Sequence, residues 1–427
     1  MMRALYSLVT TAAQPFLRRK LRRRGLAEPG YLQAIEERFG RYAGPAQPGA
    51  IWIHAVSLGE TRAAAILIAE LRRLRPDARI LLTHGTATGR AEGERLLQAG
   101  DHQAWLPWDT QEAVKRFLLH YRPVIGVLME TEVWPNLVAA ARAQGLPLVL
   151  ANARMSGKSL AGTRRLAWLS RPAYQSLAAV WAQTDADARR LAQAGATVKG
   201  VFGNLKFDAT PDRDMLDRGR QWRADSHRPV VMFASSREGE EAALLRVLAG
   251  GEPRQADVQW LIVPRHPQRF DEVTALVQQA GQSVSRRSQW GSQPVPANIW
   301  IGDSLGEMTA YYGMADVALL GGSFEPLGGQ NLIEAAACGC PVVMGPHTFN
   351  FEEAAQLAES AGAALRVDGI AAAVSSAIAL ALDPAQRGHL AAAALSFAAS
   401  HRGAAGKTAA AVIALCPHGP CRRPADD

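Results

Sequence analysis

The chain opens on an apolar stripe. Leu5, Leu8, Val9, Ala12, Ala13 and Phe16 recur at i, i+3, i+4, i+7 spacing, which predicts an amphipathic helix kinked near its end by Pro15. From residue 51 the pattern changes. Short continuous apolar runs at 51–54, 79–83, 124–129, 148–151 and 180–183 alternate with helical stretches such as the Ala- and Leu-rich 61–73. Such runs read as strands buried on both faces, and their alternation with helices predicts parallel βαβ units. A polar stretch with Pro211, Asp212 and Asp214 near its start interrupts the series, which then restarts at 230–235, 259–264, 298–301, 317–322 and 341–344. The expected architecture is α/β, with two doubly wound Rossmann-like domains facing each other across a cleft. The expected divisions are a membrane-associating helix at 1–24, an N-terminal domain at 25–209, a connection at 210–228, a C-terminal domain at 229–415 and a disordered tail at 416–427.

Length and composition narrow this picture. At ~100–200 residues per domain, 427 residues accommodate two or three domains with real cores. No apolar run of ~18 residues appears, which excludes a polytopic membrane protein. The net charge of +8 matters for where it lies. Arg18, Arg19, Lys20, Arg22, Arg23 and Arg24 directly follow the apolar stripe, a combination suited to an anionic bilayer surface. Only Arg3 precedes the stripe, so the segment does not read as a cleaved secretory signal. A nucleic-acid arm would not need the stripe, so no nucleic-acid partner is expected; a helix packed on its own domain is the competing plain reading. The expectation is a membrane-surface anchor with the body of the protein in the cytoplasm. Cys338 and Cys340 read as small core residues, and Cys416 and Cys421, with His418 between them, lack a second ligand pair, so no metal site is expected.

In open parallel sheets, ligands bind beyond the carboxyl ends of the strands. The first strand runs into Ala55-Val56-Ser57-Leu58-Gly59-Glu60. Gly59 permits a tight turn, and Glu60 falls at a helix start, where the dipole favours its ionised, basic form. Met129-Glu130-Thr131-Glu132 places two acids after a third apolar run. They share a face in extended chain, one free to touch substrate and the other to cap the next helix, and spacing does not assign them. Lys206, in Gly203-Asn204-Leu205-Lys206-Phe207-Asp208, is either solvated or a cationic partner for an anion. In the second half, Pro264-Arg265 sets a guanidinium at a strand end, suited to a phosphate or carboxylate. The Gly-rich Gly321-Gly322-Ser323 to Gly328-Gly329-Gln330-Asn331 leads into Leu332-Ile333-Glu334, offering helix N–H groups to an anion and a carboxylate to ribose hydroxyls. It matches neither a Walker loop nor GxGxxG. These residues point to group transfer, with a nucleotide-linked ligand on the second domain and a carboxylate base on the first.

Several segments together resemble the 3-deoxy-D-manno-octulosonic acid (Kdo) transferases, which add Kdo to lipid A in Gram-negative bacteria. They are Trp52-Ile53-His54 through Glu60, Met129 through Asn136, Ala151-Asn152-Ala153-Arg154-Met155-Ser156, Gly203 through Asp208, Val263-Pro264-Arg265-His266-Pro267, Gly306-Glu307-Met308, Gly321 through Glu334, and Met344 through Phe351. They cover nearly the whole chain in family order. The resemblance implies a GT-B fold with the acceptor mainly on the first domain and the donor CMP-Kdo mainly on the second. It implies inverting transfer to the 6′-hydroxyl of the lipid A precursor, without a metal ion or other cofactor, at the cytoplasmic face of the inner membrane. Carried over by motif, Glu60 is the general base, and Glu130 and Lys206 stabilise the transition state. Pro264, Arg265, Gly306, Glu307, Met308, Asn331, Leu332, Ile333 and Glu334 form the CMP site. Gln330 stands where many relatives have His, and it cannot become cationic. A hexosamine transferase or nucleotide-sugar epimerase of the same fold would share the two-domain pattern but not the 57–60 and Glu130 segments. A non-catalytic nucleotide-binding module would not need the acids.

Overall fold

The structure is a computed structural model, described here for residues 2–45, 48–250 and 257–416. Cys421 and His418 therefore lie outside the described residues. The chain divides into two compact units: Met1–Asp208 with Arg402–Asp427, and Ala209–His401.

The first unit is built on seven strands: β1 (Ile51–His54), β2 (Ile80–His84), β3 (His102–Trp105), β4 (Ile125–Met129), β5 (Leu148–Ala153), β6 (Ala179–Ala182) and β7 (Val198–Val201). They form one parallel sheet in the order β3-β2-β1-β4-β5-β6-β7. Alternate residues of each strand enter different cores. Trp52 and Leu128 point to one face, Ile51, Ile53, Val127 and Met129 to the other. Burying each such side chain contributes roughly 1.5–3 kcal/mol, and covering both faces explains why the runs are continuously apolar.

The second unit repeats the plan with β8 (Val230–Ser236), β9 (Gln259–Pro264), β10 (Val284–Arg286), β11 (Ile299–Ile301), β12 (Val317–Leu320), β13 (Val342–Met344) and β14 (Ala364–Arg366). Its parallel order is β10-β11-β9-β8-β12-β13-β14. All ten expected strands are present, with ends shifted by a residue or two. The four that the pattern does not predict, β3, β7, β10 and β14, are the four sheet edges. Each is short and carries polar positions, because an edge strand is covered less completely.

Two expected boundaries are corrected. Residues 210–228 are not a bare connection, because they hold the helix Arg213–Ala224, capped by Asp212, whose side chain accepts the Met215 N–H. Its Trp222 is buried, and its Gly219 lies so close to Ala310 that a Cβ there would fall 2.0 Å from the Ala310 carbonyl oxygen. This helix packs on the helix Met308–Met314 within the second unit. Residues 404–415, expected in the C-terminal domain, return to the first unit. The helix Ala404–Leu415 inserts Ala404, Ala405, Ala409 and Val412 into the core formed with Ala63, Ala64, Leu67 and Leu71 of the helix Leu58–Leu74. Small residues allow that close approach, and the Asp208 carboxylate fastens the returning chain by accepting the N–H groups of Gly403 and Ala405.

The N-terminal segment is two helices, Met2–Ala12 and Gln14–Ala27, broken at Ala13 rather than kinked, with Pro15 in the first turn of the second. Leu5, Leu8, Val9 and Phe16 are each more than half exposed, whereas Ser7 is buried. The polar side faces the domain: Tyr6 donates to Asp109 and Ser7 to Asn136, both at 2.9 Å. The second helix is partly packed on the domain as well, with Leu21 buried against Tyr31 and Phe39, and Arg18 paired to Glu36. Among the described residues, no helix is long and apolar enough to cross a membrane. Cys338, Cys340 and Cys416 are buried.

Candidate active site

In the first sheet the chain runs outward from β1 to β3 and then returns to place β4 beside β1. That reversal is the topological switch point of the sheet, where the strand ends leave room for a ligand. Glu60 follows β1, in the first turn of the next helix, and Glu130 directly follows β4.

Glu60 sits in the first turn of the helix Leu58–Leu74, three residues after its cap, Ser57. Its carboxylate accepts the Val56 N–H at 2.9 Å and the Ser57 hydroxyl at 3.0 Å, while the Glu60 N–H donates back to Ser57. The reciprocal capping fixes the side chain. Its proton affinity runs opposite to the sequence expectation: burial pushes the carboxyl up to about 7, the charges of Glu130 and Glu132 push the same way, and the Val56 and Ser57 hydrogen bonds only partly oppose this. Desolvation and like charge outweigh the local preference for an anion at a helix start. Gly59 needs no positive φ, and a Cβ there would meet nothing within 4 Å, so neither a turn nor packing requires this glycine.

Glu130 is 6% exposed and adopts a left-handed backbone, with φ at 57°. Its carboxylate pairs with Arg154 Nε at 3.0 Å and Lys206 Nζ at 3.7 Å. A buried, strained acid held between two cations is an observation that invites a functional explanation. Glu132 instead accepts the Trp134 indole N–H at 2.7 Å, and burial raises its pKa. The next helix, Pro135–Ala143, receives no side-chain cap from its N-cap residue, Trp134. It is anchored by Asp109, whose carboxylate accepts the N–H groups of Asn136 and Leu137. The structure thus unites Glu60, Glu130 and Lys206 in one field. It adds Arg154, to which sequence reasoning gave no role although it lies in a segment just past a strand end. His54 and His84, close by, are driven by burial to about 3 and about 4, so neither is an acid–base group near neutrality.

In the second sheet, β8 and β12 flank the corresponding reversal. Arg265 follows β9, and its Nε donates to Gln330 at 3.2 Å, so the neutral amide at that position orients the guanidinium. Asn331 caps the six-residue helix Leu332–Ala337 by accepting the Ile333 N–H; Leu332 and Ile333 are buried and Glu334 is half-buried. Gly306 has positive φ, and the Glu307 carboxylate is turned onto Arg287 at 2.9 Å and Arg218 at 3.5 Å, with Ser304 donating to it. Met308 begins the helix that packs on Leu332–Ala337. One participant escaped the sequence reading. Buried Glu240 accepts N–H groups from Arg237, Gly322 and Phe324, stitching the loops after β8 and β12 together. Its only sequence signal is its place in the loop-to-helix passage after a strand. Among the described residues, no group of three His, Cys, Asp or Glu side chains is placed to hold a metal ion.

Comparison with known proteins bears on this site. The family model described as 3-Deoxy-D-manno-octulosonic-acid transferase (kdotransferase) matches residues 33–209. A 3-deoxy-D-manno-octulosonic acid transferase of Bordetella pertussis is 46% identical over 95% of this chain and 97% of its own length. One of Haemophilus influenzae is 30% identical over 88% of this chain and 90% of its own. Among solved structures, a glycosyltransferase from Rickettsia africae superposes with a TM-score of 0.58 at 13% identity, covering 87% of this chain and 100% of that one. The UDP-GlcNAc 2-epimerase of Neisseria meningitidis gives 0.56 at 13%, covering 86% and 99%. At such identities the structural likeness establishes the GT-B fold and nothing finer.

Proposed function

The chain belongs to the 3-deoxy-D-manno-octulosonic-acid (Kdo) transferase family and is a glycosyltransferase, and from that premise we propose that it moves Kdo from CMP-Kdo to the 6′-hydroxyl of a lipid A precursor with inversion. Glu60 accepts the proton of the acceptor hydroxyl as its oxygen bonds to the anomeric carbon of Kdo. The bond from that carbon to the phosphate oxygen breaks, and CMP departs with the electron pair. The observation that carries this reading is the Glu60 carboxyl held near neutrality, at about 7, beside a buried acid–cation cluster. A base whose pKa lies near the working pH is ionised often enough to act and basic enough to accept. The cationic Lys206 and Arg154 around Glu130 supply preorganised charge for the transition state.

The donor nucleotide is assigned to the second unit, at Pro264-Arg265, Gly306-Glu307-Met308 and Asn331 to Glu334. Arg265, oriented by Gln330, suits the single phosphate of CMP, which has less charge to neutralise than a diphosphate and supports transfer without a metal ion. The Glu307 carboxylate, itself an anion, shapes this site by engaging two arginines. The decisive experiment supplies preformed CMP-Kdo and a tetraacylated lipid A precursor in EDTA and resolves products by mass. A gain of one or more Kdo units is expected. An unmodified acceptor from folded, CMP-binding protein would exclude the acceptor assignment, and a requirement for added metal would exclude metal-independent transfer.

The N-terminal helices are assigned to the cytoplasmic face of the inner membrane, lying on its surface. The support is their outward apolar row of Leu5, Leu8, Val9 and Phe16, followed by exposed Arg19, Lys20, Arg22 and Arg23. Each basic residue near an anionic surface contributes about 1 kcal/mol, so replacing these four by Gln should weaken binding to anionic vesicles by roughly a hundredfold or more. Co-sedimentation measures this, and undiminished binding would refute the assignment.

A further inference from the structure

At the end of β5, Asn152 is 2% exposed and left-handed, with φ at 51°. The pairing of β5 with β6 slips between Leu150 and Ala153, so Asn152 lies in a bulge. Such irregularities re-aim side chains beside active sites. Glycine is the residue that takes this backbone most easily, so a side chain kept here has work that offsets the strain.

Its contacts identify that work. Asn152 Oδ1 accepts the Leu205 N–H at 3.1 Å, immediately before Lys206, and Asn204 Oδ1 accepts the Lys206 N–H at 3.0 Å. The Asn152 carbonyl accepts the Gln183 amide at 2.9 Å, which locks the bulge. On its other side, Ala151 accepts the Glu130 N–H and Arg154 donates its N–H to the Glu130 carbonyl, so the same turn also fixes Glu130. Asn152 Nδ2 is buried without a hydrogen-bond partner. An unsatisfied buried donor costs about 1–3 kcal/mol, and aspartate would avoid it only by adding another carboxylate to the turn that fixes Glu130.

We propose that Asn152 is a positioning residue that sets Lys206 against Glu130 by holding the Leu205 N–H from a left-handed bulge. It touches no substrate. The proposal rests on the reading that Lys206 and Glu130 act in transfer.

Asn152→Gly tests it, because glycine accepts the backbone conformation while the amide oxygen is lost. Folding should persist, and kcat should fall about ten- to a hundredfold, the size expected for a modest misplacement, with both KM values within about twofold. Lys206 would then screen Glu130 less well, so the acid limb of the rate profile, set by Glu60 among Glu130 and Glu132, should move to higher pH. A general loosening would not produce that shift. Asn152→Asp keeps the acceptor and should retain most of the rate on the alkaline plateau. An unchanged kcat in Asn152→Gly, a fall with an unmoved acid limb, or equal plateau losses in both variants would overturn the proposal. Lys206→Met, assayed alongside, separates the two failures: transfer retained there removes the underlying reading, whereas transfer lost there with Asn152→Gly unaffected removes this inference alone.

Discussion

Glu60→Gln lowers Kdo transfer by about 10²- to 10⁴-fold, the usual contribution of a general base, while donor binding stays within about twofold. The amide keeps the shape of the side chain and can still accept the Val56 N–H. It cannot take a proton from the acceptor hydroxyl. The wild-type rate should climb as pH rises toward about 7 and then level, because the ionised carboxylate is the active form. The residual rate of Glu60→Gln should lack that limb. Stability should move the other way. The folded carboxyl has its pKa raised to about 7 from an ordinary 4.5, so between these values the native state holds more protons than the unfolded chain. Stability from this group is fully present below about 4.5 and is lost as pH rises through about 7. At pH 8 the ionised carboxylate costs the fold on the order of 3 kcal/mol, a cost that Gln removes. Denaturant unfolding should therefore find Glu60→Gln more stable than wild type at pH 8 and no more stable at pH 4. A variant that loses activity without gaining stability above pH 7 would show that burial does not hold this carboxyl near neutrality.

This opposition also marks where the sequence can be read and where it cannot. Glu60 was identifiable because the apolar run of β1 ends just before it and a helix follows. Its pKa was not, since its main cause is burial, which only packing shows, and the charges that add to it, Glu130 and Glu132, come from a loop 70 residues further along the chain. The buried strands announce themselves through uninterrupted apolar residues, whereas the edges β3, β7, β10 and β14 carry no such signature. Contiguity misled for the helix Ala404–Leu415: its alanines name no partner, and only packing shows that they return to the first unit. The N-terminal stripe was legible, but its inward polar latch of Tyr6 and Ser7 depends on Asp109 and Asn136, far along the chain. Glu130 and Arg265 were found as charges at strand ends, and Lys206 as a lone cation beside the expected domain connection. Asn152 and Glu240 escaped because they act on backbone N–H groups, and a side chain's hold on a distant backbone leaves no pattern in composition or spacing.

Lys206→Met should reduce transfer by about 10²- to 10³-fold, the loss that follows removal of one preorganised charge, and Glu130→Gln should do nearly the same. The two should not be additive. Glu130 is buried against Arg154 and Lys206, pairing with Lys206 at 3.7 Å, and the Lys206 side chain is only 23% exposed. Removing the lysine leaves a buried carboxylate whose remaining ion-pair partner among the described residues is a half-exposed arginine. Removing the acid instead takes from the lysine the carboxylate it pairs with at 3.7 Å. Either change disables one unit, so the double variant should be no more than about tenfold slower than the worse single variant, where independent effects would multiply. Lys206→Arg keeps the charge but replaces a compact ammonium by a broad planar fork, and should recover only part of the rate. Single-turnover transfer at saturating donor and acceptor, measured on the alkaline plateau of each variant's own pH profile, isolates the effect from base protonation. Multiplicative losses in the double variant would mean that Glu130 and Lys206 act separately, the lysine on the substrates directly and the acid through Arg154.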